Sequence, residues 1–199
     1  MTTKSESATE KKLWKKLEVT SEEKILDGCL VKKEGDSLLV PILGEDYRAN
    51  ITEHKIMDAE GSLVDEFDKT LLILTYLTNC TDEDVEDEWV GGKSLKNGMV
   101  FFKGGHSLPT KDLIEKFGDN EEGFHAAAKA LNGDPTDDGD AAYRFHLLPK
   151  VPIKVIMWFK DNEFEASASI LFDKTIEDMF MLDVVLDSAN ILVDKLITA

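Results

Sequence analysis

Long apolar runs are missing from this sequence. No segment of its 199 residues approaches the roughly 20 consecutive apolar residues of a membrane span, so no membrane partner is expected. The opening MTTKSESATEKKLWKK lacks the apolar core of an export signal, and the expected compartment is cytoplasmic. Cysteine is scarce, with only Cys29 and Cys80. Two thiols by themselves hold neither an iron–sulfur cluster nor a four-cysteine zinc site. In a reducing cytoplasm they are expected to be buried and reduced rather than joined as a disulfide. Positive charge is also short: 23 Lys and Arg face 40 Asp and Glu, a net charge of −17. A field of that sign repels phosphates, so nucleic acid is not an expected partner.

The short motifs of common catalytic sites are absent too. There is no GxSxG elbow, no Walker loop and no GxGxxG behind a strand. The histidines, His54, His106, His125 and His146, form neither an HExxH zinc pair nor an HxE deaminase motif. No metal site is expected, and the sequence names no cofactor. His106 alone stands in a glycine-rich bend, GGHSLP, where backbone could approach a ligand and the imidazole could act as an axial or acid–base group. His146 shares a strand face with Arg144, which suggests a buried, hydrogen-bonded role.

What is present suits one folded domain. The hydrophobic and charged fractions, 42% and 32%, are those of an ordinary globular protein. Residues 1–9 read as disordered and 10–199 as a single α+β domain, an antiparallel sheet packed against helices and closed by a C-terminal helix. Ser7 and Glu10 match a capping box for a first helix, and a short second helix follows Thr20. CLVKK, SLLVPIL and YRANIT read as a strand meander, with Pro41 marking an edge or bulge. Helical spacing of Phe67, Leu71, Leu74 and Leu77 predicts a buried helix over Asp65–Asn79. The glycine-rich stretch from Trp89 ends in MVFF and reads as a strand. Pro109 and Asn120 open two further helices. The acidic runs TDEDVEDEW and GDPTDDGD read as solvated loops.

The most informative stretch is VPIKVIMWFKDNEFEASASILFD, from Val151 to Asp173. Ile153, Val155, Met157 and Phe159 share one face and Ile156 and Trp158 the other, the pattern of a central strand covered on both sides. Continuing the alternation after the turn places Phe164 inward with Ala166 and Ala168. The small alanines beside Trp158 could leave a recess for a flat apolar ligand, or could serve close helix packing. Asp161, Glu163, Glu165 and Asp173 could gather as carboxylates for a hard cation or a shared proton. They could equally make the turn, through Asp161 and Asn162, and cap the next helix, through Asp173.

Several of these blocks together resemble a bacterial and archaeal family known as domain of unknown function 3786. They are LGEDY at Leu43–Tyr47, YL at Tyr76–Leu77 and the glycine-bearing WVGGKSLKNGMVFF. The C-terminal half adds GD at Gly139–Asp140, LPKVP at Leu148–Pro152, WFKDNEFEA at Trp158–Ala166 and ILFD at Ile170–Asp173. The resemblance implies a setting in anaerobic metabolism, with corrinoid and one-carbon pathways as context. Many relatives carry a cysteine-rich iron–sulfur segment ahead of the domain; this N-terminus holds no such cysteines. The corrinoid loop Asp-x-His-x-x-Gly is absent as well.

Two function classes follow. The first is a non-catalytic binding or accessory protein that holds a cofactor, such as a corrinoid or other tetrapyrrole, or a protein partner. Its candidate ligand-binding residues are His106, Trp158, Asp161, Glu163, Phe164, Glu165, Ala168 and Asp173. The second is an enzyme drawing acid–base groups from His106, Asp161, Glu163 and Asp173, with no reaction specified.

Overall fold

The computed structural model describes residues 7–199, so the expectation of disorder for the first six lies outside the described residues. Ser7 already belongs to the fold. Its hydroxyl accepts from the Glu10 amide and the Glu10 carboxylate takes the Ser7 amide, the predicted capping box that opens α1 (Ala8–Val19). Next come α2 (Glu22–Cys29) and a meander of β1 (Lys32–Glu34), β2 (Ser37–Ile42), β3 (Glu45–Asn50) and β4 (Lys55–Met57), antiparallel in that order. The strand read into CLVKK starts only at Lys32, because Cys29 closes α2 and Leu30 turns left-handed at its C-cap. Pro41 fits the edge expectation. β1 pairs with Ser37–Leu39 only, so at Pro41 one side of β2 has no β1 partner and no ladder amide is needed there.

After α3 (Phe67–Asn79) the chain builds a second sheet. Its strands are β5 (Trp89–Gly91), β6 (Asp134–Thr136), β7 (Ala141–Leu148), β8 (Val151–Trp158) and β9 (Ser167–Asp173), in the order β5-β9-β8-β7-β6. β8 is the central strand, as its two apolar faces required, and Val151 through Met157 are all buried. The GDPTDDGD run is therefore not all loop, since Asp134–Thr136 pairs at the sheet edge. Helices α5 (Thr110–Phe117), α6 (Glu121–Ala130), α7 (Ile176–Met179) and α8 (Leu182–Thr198) complete the fold. α8 packs against α3, α5 and α6, and α5 lies on β9. Between them Phe145, Ile153, Val155, Phe172 and Leu192 are sealed from water.

The two sheets are stitched by a bulge. The β7–β8 register shifts between His146 and Leu148, so Leu147 drops out of that ladder. Its carbonyl instead takes the Leu43 amide at 3.0 Å, which satisfies a backbone group in a residue wholly out of solvent.

Two expectations fail for one reason. MVFF is not a strand: Gly98–Phe101 forms a short helix, α4, with Met99 and Val100 turned out at 68% and 78% exposure and Phe102 turned in. Phe164 is not inward either. β9 starts only at Ser167, and Phe164 stands in the preceding loop at 70% exposure. MVFF sets apolar residues in a row and Phe164 continues an alternation, but no neighbouring strand is there to pair with either.

Candidate functional site

In a chain this acidic, the stretch from Trp89 to Lys111 is unusual. It carries four lysines, Lys93, Lys96, Lys103 and Lys111, and not one Asp or Glu. The fold wraps it around an incomplete edge of the second sheet. β9 pairs with β8 from Ser167 to Phe172, but with β5 only from Leu171 to Asp173. Beyond Gly91 the chain leaves the sheet in a turn at Gly92–Ser94, so the Ser167–Ile170 part of β9 has no strand on that side. A groove of about 690 Å³ lies along this open edge, within the usual range for small-molecule sites.

Its wall depends on two glycines. A Cβ on Gly92 would come within 3.1 Å of the Phe102 ring, and one on Gly98 within 2.0 Å of the Gly92 carbonyl oxygen. Close approach at these points lets the lysine-bearing stretch fold back on itself with Phe102 buried beneath. Ala168 to Leu171 form the β9 side, and Leu108, Ser107 and Asn190 of α8 complete the surround. At one end stands the first turn of α5. Pro109 is its N-cap and no side chain caps it, so the helix presents uncapped amides and the positive end of its dipole to the groove. Lys93 and Lys111 also line it, and Asp112 is the single carboxylate among its lining residues. The arrangement can hold an anionic group beside an apolar surface.

Of the sequence candidates, Ala168 lines this groove. The DNEFEA tip does not. It sits at the other end of α5, where the Lys160 amide bonds the Gly118 carbonyl at 2.8 Å, and α5 is about 12 Å long at 1.5 Å per residue. Asp161 makes the turn. Its Oδ1 accepts the Glu163 and Phe164 amides, each at 2.7 Å, and these bonds hold its carboxyl below the usual range. Glu163 is exposed, and Glu165 pairs with Lys160 at 2.9 Å. Trp158 ends β8 at 38% exposure and is not a groove residue.

Asp173 lies at the opposite end of β9 from the tip, so the carboxylates are not gathered. It is 1% exposed, with Oδ1 accepting from the Thr175 hydroxyl and amide and the Glu86 amide, and Oδ2 without a partner. It orders the corner before α7 without capping that helix, whose N-cap is Thr175. His106 is exposed and stacks on Phe101, ring centroids 4.7 Å apart, and it stands beside the groove between lining residues Gly104 and Ser107. His146 is exposed, 3.6 Å from Asp134, and not buried as its strand face suggested. Among the described residues no three or more His, Cys, Asp or Glu come together as metal ligands, and no helix is long and apolar enough to cross a membrane. Sequence reasoning missed the lysines of the groove, although a running count of acidic residues would have marked their stretch.

A family model described as Domain of unknown function (DUF3786) matches residues 23–195. No curated protein and no solved structure matches the chain.

Proposed function

Because the chain belongs to the family of domain of unknown function 3786, which brings no reaction with it, we propose from the groove itself that this is a binding protein for a small anionic ligand with an apolar body. The observation that carries the reading is the charge reversal. In a protein of net charge −17, the 23-residue stretch around the groove holds four lysines and no acid, and the uncapped end of α5 adds its dipole. Such a patch raises the local concentration of anions against a repelling background. A tetrapyrrole, whose carboxylates rim a flat apolar body, is one molecule of this class. An accessory role in anaerobic metabolism is the setting we propose for it. The acid–base set His106, Asp161, Glu163 and Asp173 gives less support to an enzyme, because Asp161 and Glu163 share the tip while His106 and Asp173 lie elsewhere in the fold.

The test is calorimetry and thermal shift with a panel of carboxylates and phosphates, a porphyrin dicarboxylate among them, each beside a neutral analogue. Lys93→Glu with Lys111→Glu should weaken an anionic binder at least about tenfold, near 1.4 kcal/mol, with little change in the unliganded melting temperature, since both side chains are exposed. Ala168→Leu should block the same ligand sterically. If no anion binds better than its neutral analogue, or charge reversal leaves binding unchanged, the proposal fails.

A further inference from the structure

The two cysteines, 51 positions apart, meet in the fold. Cys29 ends α2 and Cys80 is the C-cap of α3, at 1% and 9% exposure. The backbones touch: a Cβ on Gly28 would lie 3.5 Å from the Cys80 carbonyl oxygen. The Tyr76 carbonyl oxygen links the two positions, since it accepts the Cys80 amide at 3.0 Å. The Cys29 sulfur is 3.7 Å from the Tyr76 and Leu77 carbonyl oxygens.

Two further observations turn this pair into a site. The first is a buried cation. Lys150, 6% exposed, sits in the turn between β7 and β8, and its ammonium donates to the Thr81 and Glu83 carbonyls at 2.6 and 3.1 Å. Those partners solvate the ammonium without neutralising it, and its charge falls on both cysteines. The second is access. Cys80 forms part of a surface pocket of about 410 Å³ that also presents Lys16, Lys24, Asn79 and Thr81. This pocket is separate from the β9 groove.

We propose that Cys29 and Cys80 form a redox-active dithiol, in which Cys80, reached through the Lys16–Lys24 pocket, exchanges with small anionic disulfides and Cys29 resolves the product. The order of attack follows from access: Cys80 lines the pocket, whereas Cys29 does not and is 1% exposed. The Cys29 side chain alongside, with the Lys150 charge near, holds the Cys80 thiol below its ordinary range. The Cys80 side chain beside it, together with burial, pushes Cys29 up. Cys80, the thiol the pocket reaches, is therefore the nucleophile and attacks as its thiolate. Its sulfur attacks one sulfur of RS–SR, the RS–SR bond breaks, and RS⁻ departs with the electron pair and is protonated by solvent. Cys29 then attacks the Cys80 sulfur of the mixed disulfide. A second RS⁻ leaves and takes up the proton that Cys29 gives up, and the Cys29–Cys80 bond forms. Two protein thiols are oxidised and one disulfide is reduced to two thiols.

The test uses the reduced full chain in native buffer, with oxidised glutathione as the anionic probe and hydroxyethyl disulfide as the neutral one. Intact mass and peptide mapping should find a Cys29–Cys80 link and no retained adduct in the natural sequence. Cys29→Ser, or Cys29→Ala should the serine variant not fold, should trap a mixed disulfide on Cys80, whereas Cys80→Ser should leave Cys29 unmodified. Lys16→Ala with Lys24→Ala, both exposed positions, should slow the anionic probe about threefold more than the neutral one. Oxidation no faster than global unfolding, measured from the slowest amide exchange, would overturn the proposal. So would adducts on both cysteines without a link.

Discussion

Replacing Tyr76 by Phe keeps a buried ring and removes one oxygen. That oxygen joins three elements. Tyr76 lies fully buried in α3; its hydroxyl donates to the Cys29 carbonyl at the end of α2 at 2.7 Å and accepts the Lys150 amide at 3.2 Å. The carbonyl is one of the last of its helix, where no intrahelical amide can reach it. The amide belongs to the tight turn between β7 and β8. Neither group has water at hand, so the substitution strands a buried acceptor and a buried donor. Each orphan costs about 1–3 kcal/mol, and because the amide bond is the longer of the two the total should be about 2–4 kcal/mol. That is a large part of the roughly 5–15 kcal/mol that holds a typical domain together. For a chain of this length it lowers the melting temperature by roughly 5–15 °C. Urea titration at neutral pH should show the midpoint fall with an unchanged slope. Tyr143→Phe is the comparator: its hydroxyl bonds His125 at 2.7 Å, but that imidazole is half-buried and water can replace the lost partner, so under about 1.5 kcal/mol is expected. Equal effects of the two substitutions, or a loss below about 1 kcal/mol at Tyr76, would refute the reasoning.

Asp187 on α8 tests the acidic background. Burial first, then Asp68 and Asp183, push its carboxyl up from 3.8 to about 6. A raised carboxyl adds stability that is complete below about pH 4 and is lost as pH rises through about 6. Asp187→Asn should therefore gain about 0.5–1 kcal/mol at pH 7.5, a figure reduced for solvent screening. That gain should vanish near pH 4 in calorimetric scans; an equal gain at both would assign the effect to packing. Gly98→Ala tests the groove wall. Gly→Ala in a helix ordinarily stabilises by up to about 1 kcal/mol, but here the new Cβ would stand 2.0 Å from the Gly92 carbonyl oxygen. The sign should reverse to a loss of about 1–3 kcal/mol, and a urea midpoint that rises would show the close approach to be absent.

Where local chemistry decides, the sequence was readable. The double-faced apolar pattern of Val151–Trp158 marked the central strand, and Ser7 and Asn120 marked helix starts that their side chains do cap. The α+β class followed from the same patterns. Reading failed where a distant partner decides. MVFF has the composition of a buried strand and Phe164 the alternation of one, and only the absence of a neighbour beside each excludes it. Lys55–Met57 became a strand through pairing with β3, not through any alternation of its own. The groove was half legible, since Ala168 was singled out as a small residue on a sheet face and does line it, while the lysines opposite were passed over. The meeting of Cys29 and Cys80 had no local signal at all. It depends on α2 and α3 packing side by side, and nothing within either segment announces that.

The bulge at Leu147 reaches beyond the bond it makes. Leu43 and Leu147 are 104 positions apart, so the amide at the end of β2 has no partner until β7 and β8 have paired and slipped by one residue. The small meander is thus finished from outside, by a strand that leaves the ribosome long after it. A contact of that separation slows folding, because the loop must close before the bond rewards it. It also binds the fate of the two sheets together. The N-terminal meander is poorly suited to opening alone, and strain imposed at the turn that carries Lys150 would be felt at the far end of β2.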